Sequence, residues 1–164
     1  MTDEARRDSE NLIRFWSGAF ALSGEDMDRE RRSGAEGWKA LAPSEKLFRA
    51  ASALGRRKKV LDYGCGSAWA GIIAAKCGCP DVTAVDVAQG AVETARFYAG
   101  LCGAGLRLRC VEPDWLRTVP AETYEGIVCS NVLDVVPPEI SEAILRELAR
   151  IAAPDAEVLV GLNY

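Results

Sequence analysis

Four short runs carry side chains that could do chemistry, and each one closes an apolar stretch. The first is Val60-Leu61-Asp62-Tyr63-Gly64-Cys65-Gly66, a short buried strand running into a glycine turn. Glycine lets the chain turn sharply and brings bare backbone up to a ligand. The helix-forming run Trp69 to Lys76 begins directly after it, so the free N–H groups of its first turn face the same crevice. In an open parallel sheet, ligands bind outside the carboxyl ends of the strands at turns of this kind. Taken alone, the motif is also compatible with a tight turn that binds nothing. A dinucleotide fingerprint would put a third glycine at position 69, where this chain has Trp69.

The second run, Asp81-Val82-Thr83-Ala84-Val85-Asp86, ends in a carboxylate 22 residues beyond Gly64. A carboxylate there can accept both hydroxyls of a ribose, and it can equally cap the helix that follows. The third run ends in Asp114-Trp115. Asp114 can accept a hydrogen bond from an exocyclic amine, while Trp115 can flank a purine or simply pack. The fourth run, Tyr124 to Asn131, ends in the small polar pair Ser130-Asn131, which faces the same crevice if the strands are parallel.

The elements that must position these groups follow from periodicity. Residues 1–22 carry a helical stripe of Leu12, Phe15 or Trp16, Ala19 and Leu22. This stripe is a packing face or a lid over a cleft. Residues 23–37 are charged and glycine-punctuated, which predicts a linker or mobile loop. Ser44 is placed as the N-cap of a helix running to about Leu54, with Gly55 placed to stop it. Residues 89–100 predict a helix closed by Gly100. Leu106 to Val111 alternates apolar residues with arginine, as in a strand with one buried face. Pro137-Pro138 opens a helix with Ile140, Ile144, Leu148 and Ile151 on one face and Glu142, Arg146 and Arg150 on a solvated one. Pro154-Asp155-Ala156 reads as a turn before a fifth strand, Glu157 to Leu162. Strand and helix alternate five times, which predicts an α/β fold, a doubly wound, mostly parallel sheet with helices on both faces.

Composition narrows the chemistry. The 164 residues, 49% of them hydrophobic, suffice for one domain with a real core. A formal charge of −4 gives no global basic field for nucleic acid. The local run Arg56-Arg57-Lys58-Lys59 reads as a solvated lead-in to the first strand rather than a phosphate patch. There is no histidine, which removes histidine bases and metal ligands. None of the six cysteines forms a CxxC pair, and Cys77-Gly78-Cys79 is too short a spacing for a zinc half-site, so no metal is expected. Cys110 and Cys129 read as small buried hydrophobes. The cysteine pattern fits a reducing compartment, and the polar start and the lack of a long apolar run predict a cytoplasmic protein with no membrane span.

Together the four strand ends resemble those of the class I S-adenosylmethionine-dependent methyltransferases, over roughly residues 58–164. The run from Val60 to Ala68 is similar to that family's acidic-x-G-x-G-x-G pattern, with Ala68 in place of the third glycine. The resemblance implies S-adenosylmethionine as cofactor, with the backbone around Tyr63, Gly64 and Gly66 holding its methionine part and Asp62 near the amino group. It implies Asp86 on the ribose, Val87 against the adenine, Asp114 on the adenine amine with the Trp115 backbone beside it, and Ser130 and Asn131 near the sulfonium. It makes Asp134, just past the fourth strand, a candidate base. Residues 1–57 then form an N-terminal helical segment and linker, a possible lid, ahead of the cofactor-binding domain 58–164.

The implied activity is methyl transfer to a small-molecule acceptor, or else a protein. The (Asn/Asp)-Pro-Pro-aromatic motif of enzymes that methylate nucleic-acid amines is absent, since Pro137-Pro138 comes too late. Such folds continue past a fifth strand to a hairpin. The expectation is therefore a truncated sequence or a partner, such as another copy, over that strand's edge. Two alternatives stay open: a non-catalytic scaffold of the same fold, and an NAD-dependent oxidoreductase, which would prefer glycine at position 69.

Overall fold

The computed structural model describes residues 3–33 and 35–162. Gly34, inside the stretch expected to be a linker, and the last two residues of the 58–164 segment lie outside them. Helix α1 spans Asp3–Phe20 and α2 spans Gly24–Ser33, followed by a 3-10 segment at Ala35–Ala40. Helix α3 (Glu45–Ala53) leads through a 3-10 turn into strand β1 (Val60–Tyr63). Then come α4 (Trp69–Lys76), β2 (Val82–Asp86), α5 (Gln89–Cys102), β3 (Arg107–Cys110), β4 (Tyr124–Ser130), α6 (Pro138–Ile151) and β5 (Ala152–Gly161). Among the described residues, five strands form one sheet in the order β3-β2-β1-β4-β5, and every pair is parallel.

The doubly wound arrangement is the expected one, but the strict alternation is not: β3 and β4 are joined by a 3-10 turn at Trp115–Thr118 in place of a helix. β1 is buried along its whole length because helices cover both faces of the sheet. One face packs Leu61, Tyr63, Val85, Ile127 and Cys129 against α6 through Ile144, Leu148 and Ile151. The other packs Val60, Val82 and Val128 against α3 and α4 through Ala51, Ala70 and Ile73. Among the described residues no helix is long and apolar enough to cross a membrane.

Several expectations are corrected. The charged stretch after residue 23 is helical, not a loop. Ser23 caps α2 by accepting the Asp26 N–H at 3.1 Å, and acidic residues in the first turn with Arg31 and Arg32 in the last suit the helix dipole. Gly55 does not stop α3 as a left-handed cap. It is small because a Cβ there would stand 2.5 Å from the Cys77 carbonyl oxygen. α5 runs on past Gly100 and closes at Gly103, which has φ 60°. Pro154 and Asp155 lie inside β5 at a register irregularity against β4, with Asp155 at φ 63°.

Cys110 is exposed because β3 is an edge strand, whereas Cys129 is fully buried as expected. Ile140 is 43% exposed at the start of α6. Arg150 is not merely solvated, because its guanidinium donates to the Leu116 carbonyl at 2.9 Å and ties α6 to the turn after β3. On β5, Val158 and Val160 are exposed on the α6 side of the sheet.

Candidate functional site

The strand order reverses between β1 and β4. Chain leaving β1 returns on one side through β2 and β3, and on the other through β4 and β5. The crevice outside the carboxyl ends of β1 and β4 is therefore the place where loops splay apart and a ligand can reach backbone. Register brings the candidate groups to this edge. Tyr63 lies level with Val85 on β2 and with Cys129 on β4, so Gly64, Asp86 and Ser130 all follow at the same height. The basic run Arg56 to Lys59 precedes β1 and so lies at the opposite end of the sheet. There Arg57 donates to Glu157 at 3.0 Å.

The turn depends on glycine. Gly64 and Gly66 both hold left-handed backbone, φ 64° and 53°. A Cβ on Gly64 would lie 2.3 Å from Val132 Cγ2, and one on Gly66 would lie 2.8 Å from Phe20 Cζ. Ala68 is also left-handed, at φ 58°, and opens α4 without a side-chain cap.

The aspartates divide the work. Asp86 bridges two segments, accepting the Gly66 N–H at 3.0 Å on one oxygen and the Ala88 N–H at 2.9 Å on the other. It thus caps the following helix and braces the glycine turn. Burial pushes its carboxyl above the usual range against the pull of these N–H groups. Each oxygen keeps a lone pair, so the group can still accept from a hydroxyl.

Asp62 points away from the crevice into the packing of α4. It is only 4% exposed and accepts the Gly71 N–H at 2.8 Å. Burial pushes it up to about 7, with Asp86 adding to the effect. The same cause raises the neighbouring groups. Burial, then the negative charge of Asp62 and Asp86, raises the Cys65 thiol. Burial, then Asp62 and Asp134, brings Cys129 up to about 12.

Of the remaining candidates, Val87 is half-buried against the core of the α6 face, with the exposed Cys110 thiol beside its carbonyl. Asp114 is exposed at the start of the 3-10 turn Trp115–Thr118, and its side chain caps nothing there. The Trp115 ring packs on the core, with the Arg109 guanidinium 6.0 Å from its centroid, and its backbone N–H donates to Glu112. Ser130 packs against Gly161, and Asn131 is exposed with φ 57°, its N–H donating to the Gly161 carbonyl. Asp134 is exposed in the loop beyond, close enough to Cys129 to raise its thiol.

Sequence reading missed the residues that cover the turn. Phe20 lies on the turn glycine Gly66, and Val132, just after Asn131, lies on Gly64. Phe20 follows Trp16 by one helical turn, and their rings are 6.0 Å apart, so the aromatic stripe was the available signal. Phe15, by contrast, is 63% exposed, and Trp38 packs against Phe48 in the helical layer.

Residues 29–161 match the family model described as a methyltransferase domain. The chain is 33% identical over 107 residues to a ubiquinone biosynthesis O-methyltransferase of Neisseria meningitidis, covering 63% of this chain and 43% of that protein. It is 36% identical over 99 residues to a release factor glutamine methyltransferase of Bordetella pertussis, covering 59% and 32%. The chain thus spans less than half the length of these relatives. Its fold is similar to the magnesium protoporphyrin IX methyltransferase of Synechocystis solved with bound SAM, with TM-score 0.55 at 22% identity, covering 70% of this chain and 54% of that one. The match over 29–161 and the all-parallel sheet with its glycine turn lead to one conclusion: the chain belongs to the class I S-adenosylmethionine-dependent methyltransferase family.

Proposed function

We propose that the protein binds S-adenosylmethionine at the β1–β4 crevice and transfers its methyl group to a small-molecule acceptor. One observation carries the reading: the Asp86 carboxylate is fixed 3.0 Å from the Gly66 N–H, so a hydroxyl acceptor and a left-handed glycine turn share one edge of the sheet. The residues also fit the cofactor's charge. Asp86 closes β2 at this edge and Asp134 lies in the exposed loop past β4, so carboxylates stand near a cationic group bound there. When bound, the cofactor supplies a sulfonium-activated methyl group.

The chain's own part is to hold and align. Asp86 would take the ribose hydroxyls and Asp114 the adenine amine. Gly64 and Gly66 offer backbone without side chains, and the loop from Ser130 to Asp134 would flank the acceptor. Asp134 is the candidate to position or deprotonate that acceptor, because it is exposed at the crevice rim. Alignment and exclusion of water account for most of what such a site must contribute. Similarity to a ubiquinone biosynthesis O-methyltransferase supports a small acceptor, whereas similarity to a release factor glutamine methyltransferase supports a protein one. We favour the small acceptor because the Val132 side chain, in the loop past β4, packs on Gly64 and narrows this end of the crevice.

Calorimetric titration with S-adenosylmethionine, S-adenosylhomocysteine and NAD tests the cofactor, with Asp86→Ala as control. Binding of the sulfur cofactors that weakens in the variant is expected, and binding of NAD alone would refute it. A non-catalytic scaffold is the second reading, favoured by the side chains already seated on both turn glycines. Transfer of a labelled methyl group to any acceptor rules the scaffold out.

A further inference from the structure

Helix α1 is held to α5 by two contacts that general helix packing does not require. The Thr94 side chain, only 4% exposed, donates its hydroxyl to the Phe20 carbonyl at 2.5 Å. That carbonyl is at the very end of α1, where backbone oxygens lack a partner within the helix. One turn earlier on α5, Gly90 faces the α1 backbone so closely that a Cβ would lie 2.1 Å from the Ser17 carbonyl oxygen. The atoms it would strike are main chain, so no rotamer change can relieve the clash. A hydroxyl and a missing side chain, four residues apart, thus form one docking face for the last turn of α1.

The consequence reaches the glycine turn. Thr94 grips the residue whose own ring lies on Gly66. Any ligand that uses the bare backbone of Gly66 competes with the Phe20 ring for the same space. The Thr94 contact therefore bears on access to the turn as well as on α1.

We propose that Thr94 and Gly90 form a latch that holds α1 closed over the glycine turn, so that Thr94 is a positioning residue controlling cofactor entry. The reading rests on the cofactor assignment above. Ligand enters only from the open form, so its apparent association rate scales with the open population. Losing one neutral hydrogen bond raises that population by about fivefold. Thr94→Val keeps the shape and removes the donor, Thr94→Ser restores the donor, and Gly90→Ala wedges the helices apart.

Two measurements on the full chain separate the latch from the cofactor reading. Amide hydrogen exchange over residues 7–20 of the ligand-free protein reports whether α1 is held. We expect exchange about fivefold faster in Thr94→Val, faster still in Gly90→Ala, and near wild type in Thr94→Ser. Stopped-flow binding of S-adenosylhomocysteine reports the gate. Association about fivefold faster in Thr94→Val, with Thr94→Ser at the wild-type rate, is the expected result. Unchanged exchange in Thr94→Val and Gly90→Ala overturns the latch whether or not cofactor binds. Faster exchange with unchanged association overturns the gate. If the wild type binds no S-adenosylhomocysteine, the cofactor reading and the gate fall together, while the exchange data still decide the latch.

Discussion

The Asp62 carboxylate on β1 caps α4 from outside the helix, accepting the Gly71 N–H at 2.8 Å. Ala68 occupies the N-cap position and has no side chain to do this. A buried strand residue therefore takes over a task that a local serine or aspartate would ordinarily perform. The arrangement locks the glycine turn between two fixed points, since the strand before it and the helix after it share this bond. Burial pushes the carboxyl up to about 7, and the bond from Gly71 only partly offsets that rise.

That relationship predicts a pH dependence of stability. The folded carboxyl is raised from 3.8 to about 7, so the folded state holds the proton more tightly than the unfolded chain. The resulting stability is complete below pH 4 and is lost as pH rises through 7. Asp62→Asn keeps an oxygen for the Gly71 N–H and removes the titration. The stability difference, wild type minus variant, is expected to fall with pH by up to about 1.4 kcal/mol per unit between pH 4 and 7. Urea denaturation at four pH values measures it, and a flat difference would refute the assignment. Asp86 is shifted in the same direction and contributes a fall of the same sign to wild type and variant alike.

Asp86 is expected to couple stability to binding. Its two oxygens hold the Gly66 and Ala88 N–H groups. Asp86→Ala leaves both donors without that partner and costs about 1–3 kcal/mol in unfolding free energy. It also removes the hydroxyl acceptor, weakening S-adenosylhomocysteine binding by about tenfold or more. Asp86→Asn keeps one acceptor oxygen and should recover part of the stability but little of the affinity. Thermal melts and calorimetry on the same samples separate the two effects. Equal recovery of both would mean that Asp86 only braces the turn.

How far the sequence could be read follows from where each signal resides. Strand β1, the glycine turn and α4 were legible because glycine spacing and an unbroken apolar run are local properties, and Trp69–Lys76 has the expected bounds. Asp86 closes β2 for the same reason. The function of Asp62 was not legible, because whether a strand carboxylate faces a crevice or a helix depends on the packing of α4. Ser23 and the charge order of α2 were available, but a stretch without large apolar groups gives no amphipathic period to read. Phe20 and Val132 were missed because their importance lies in contacts with glycines 46 and 68 residues away.

Val132 and Gly64 should be energetically coupled. Gly64→Ala meets a left-handed backbone and a Val132 methyl 2.3 Å from the new Cβ. The backbone strain alone costs about 1–2 kcal/mol, and the clash adds to it. Val132→Ala removes the clashing methyl but not the strain. In a double-mutant cycle the pair should be less destabilised than the sum of the singles by about 0.5–3 kcal/mol. Additive effects would show that the loop after β4 moves aside freely and does not press on the turn.

Gly55 and Gly100, which both resemble helix stops in sequence, should respond oppositely to alanine. At Gly55 the new Cβ would stand 2.5 Å from both the Cys77 carbonyl oxygen and its Cβ. Main chain cannot rotate away, so α3 must separate from the end of α4, and a loss of about 1–3 kcal/mol is expected. Gly100 lies inside α5, is exposed, and has nothing within 4 Å of the new Cβ. There alanine only removes the entropy that glycine loses on folding, for a gain of about 0.5–1 kcal/mol. Chemical denaturation of the two single variants checks both signs. A destabilising Gly100→Ala would mean that α5 ends at Gly100 in solution rather than at Gly103.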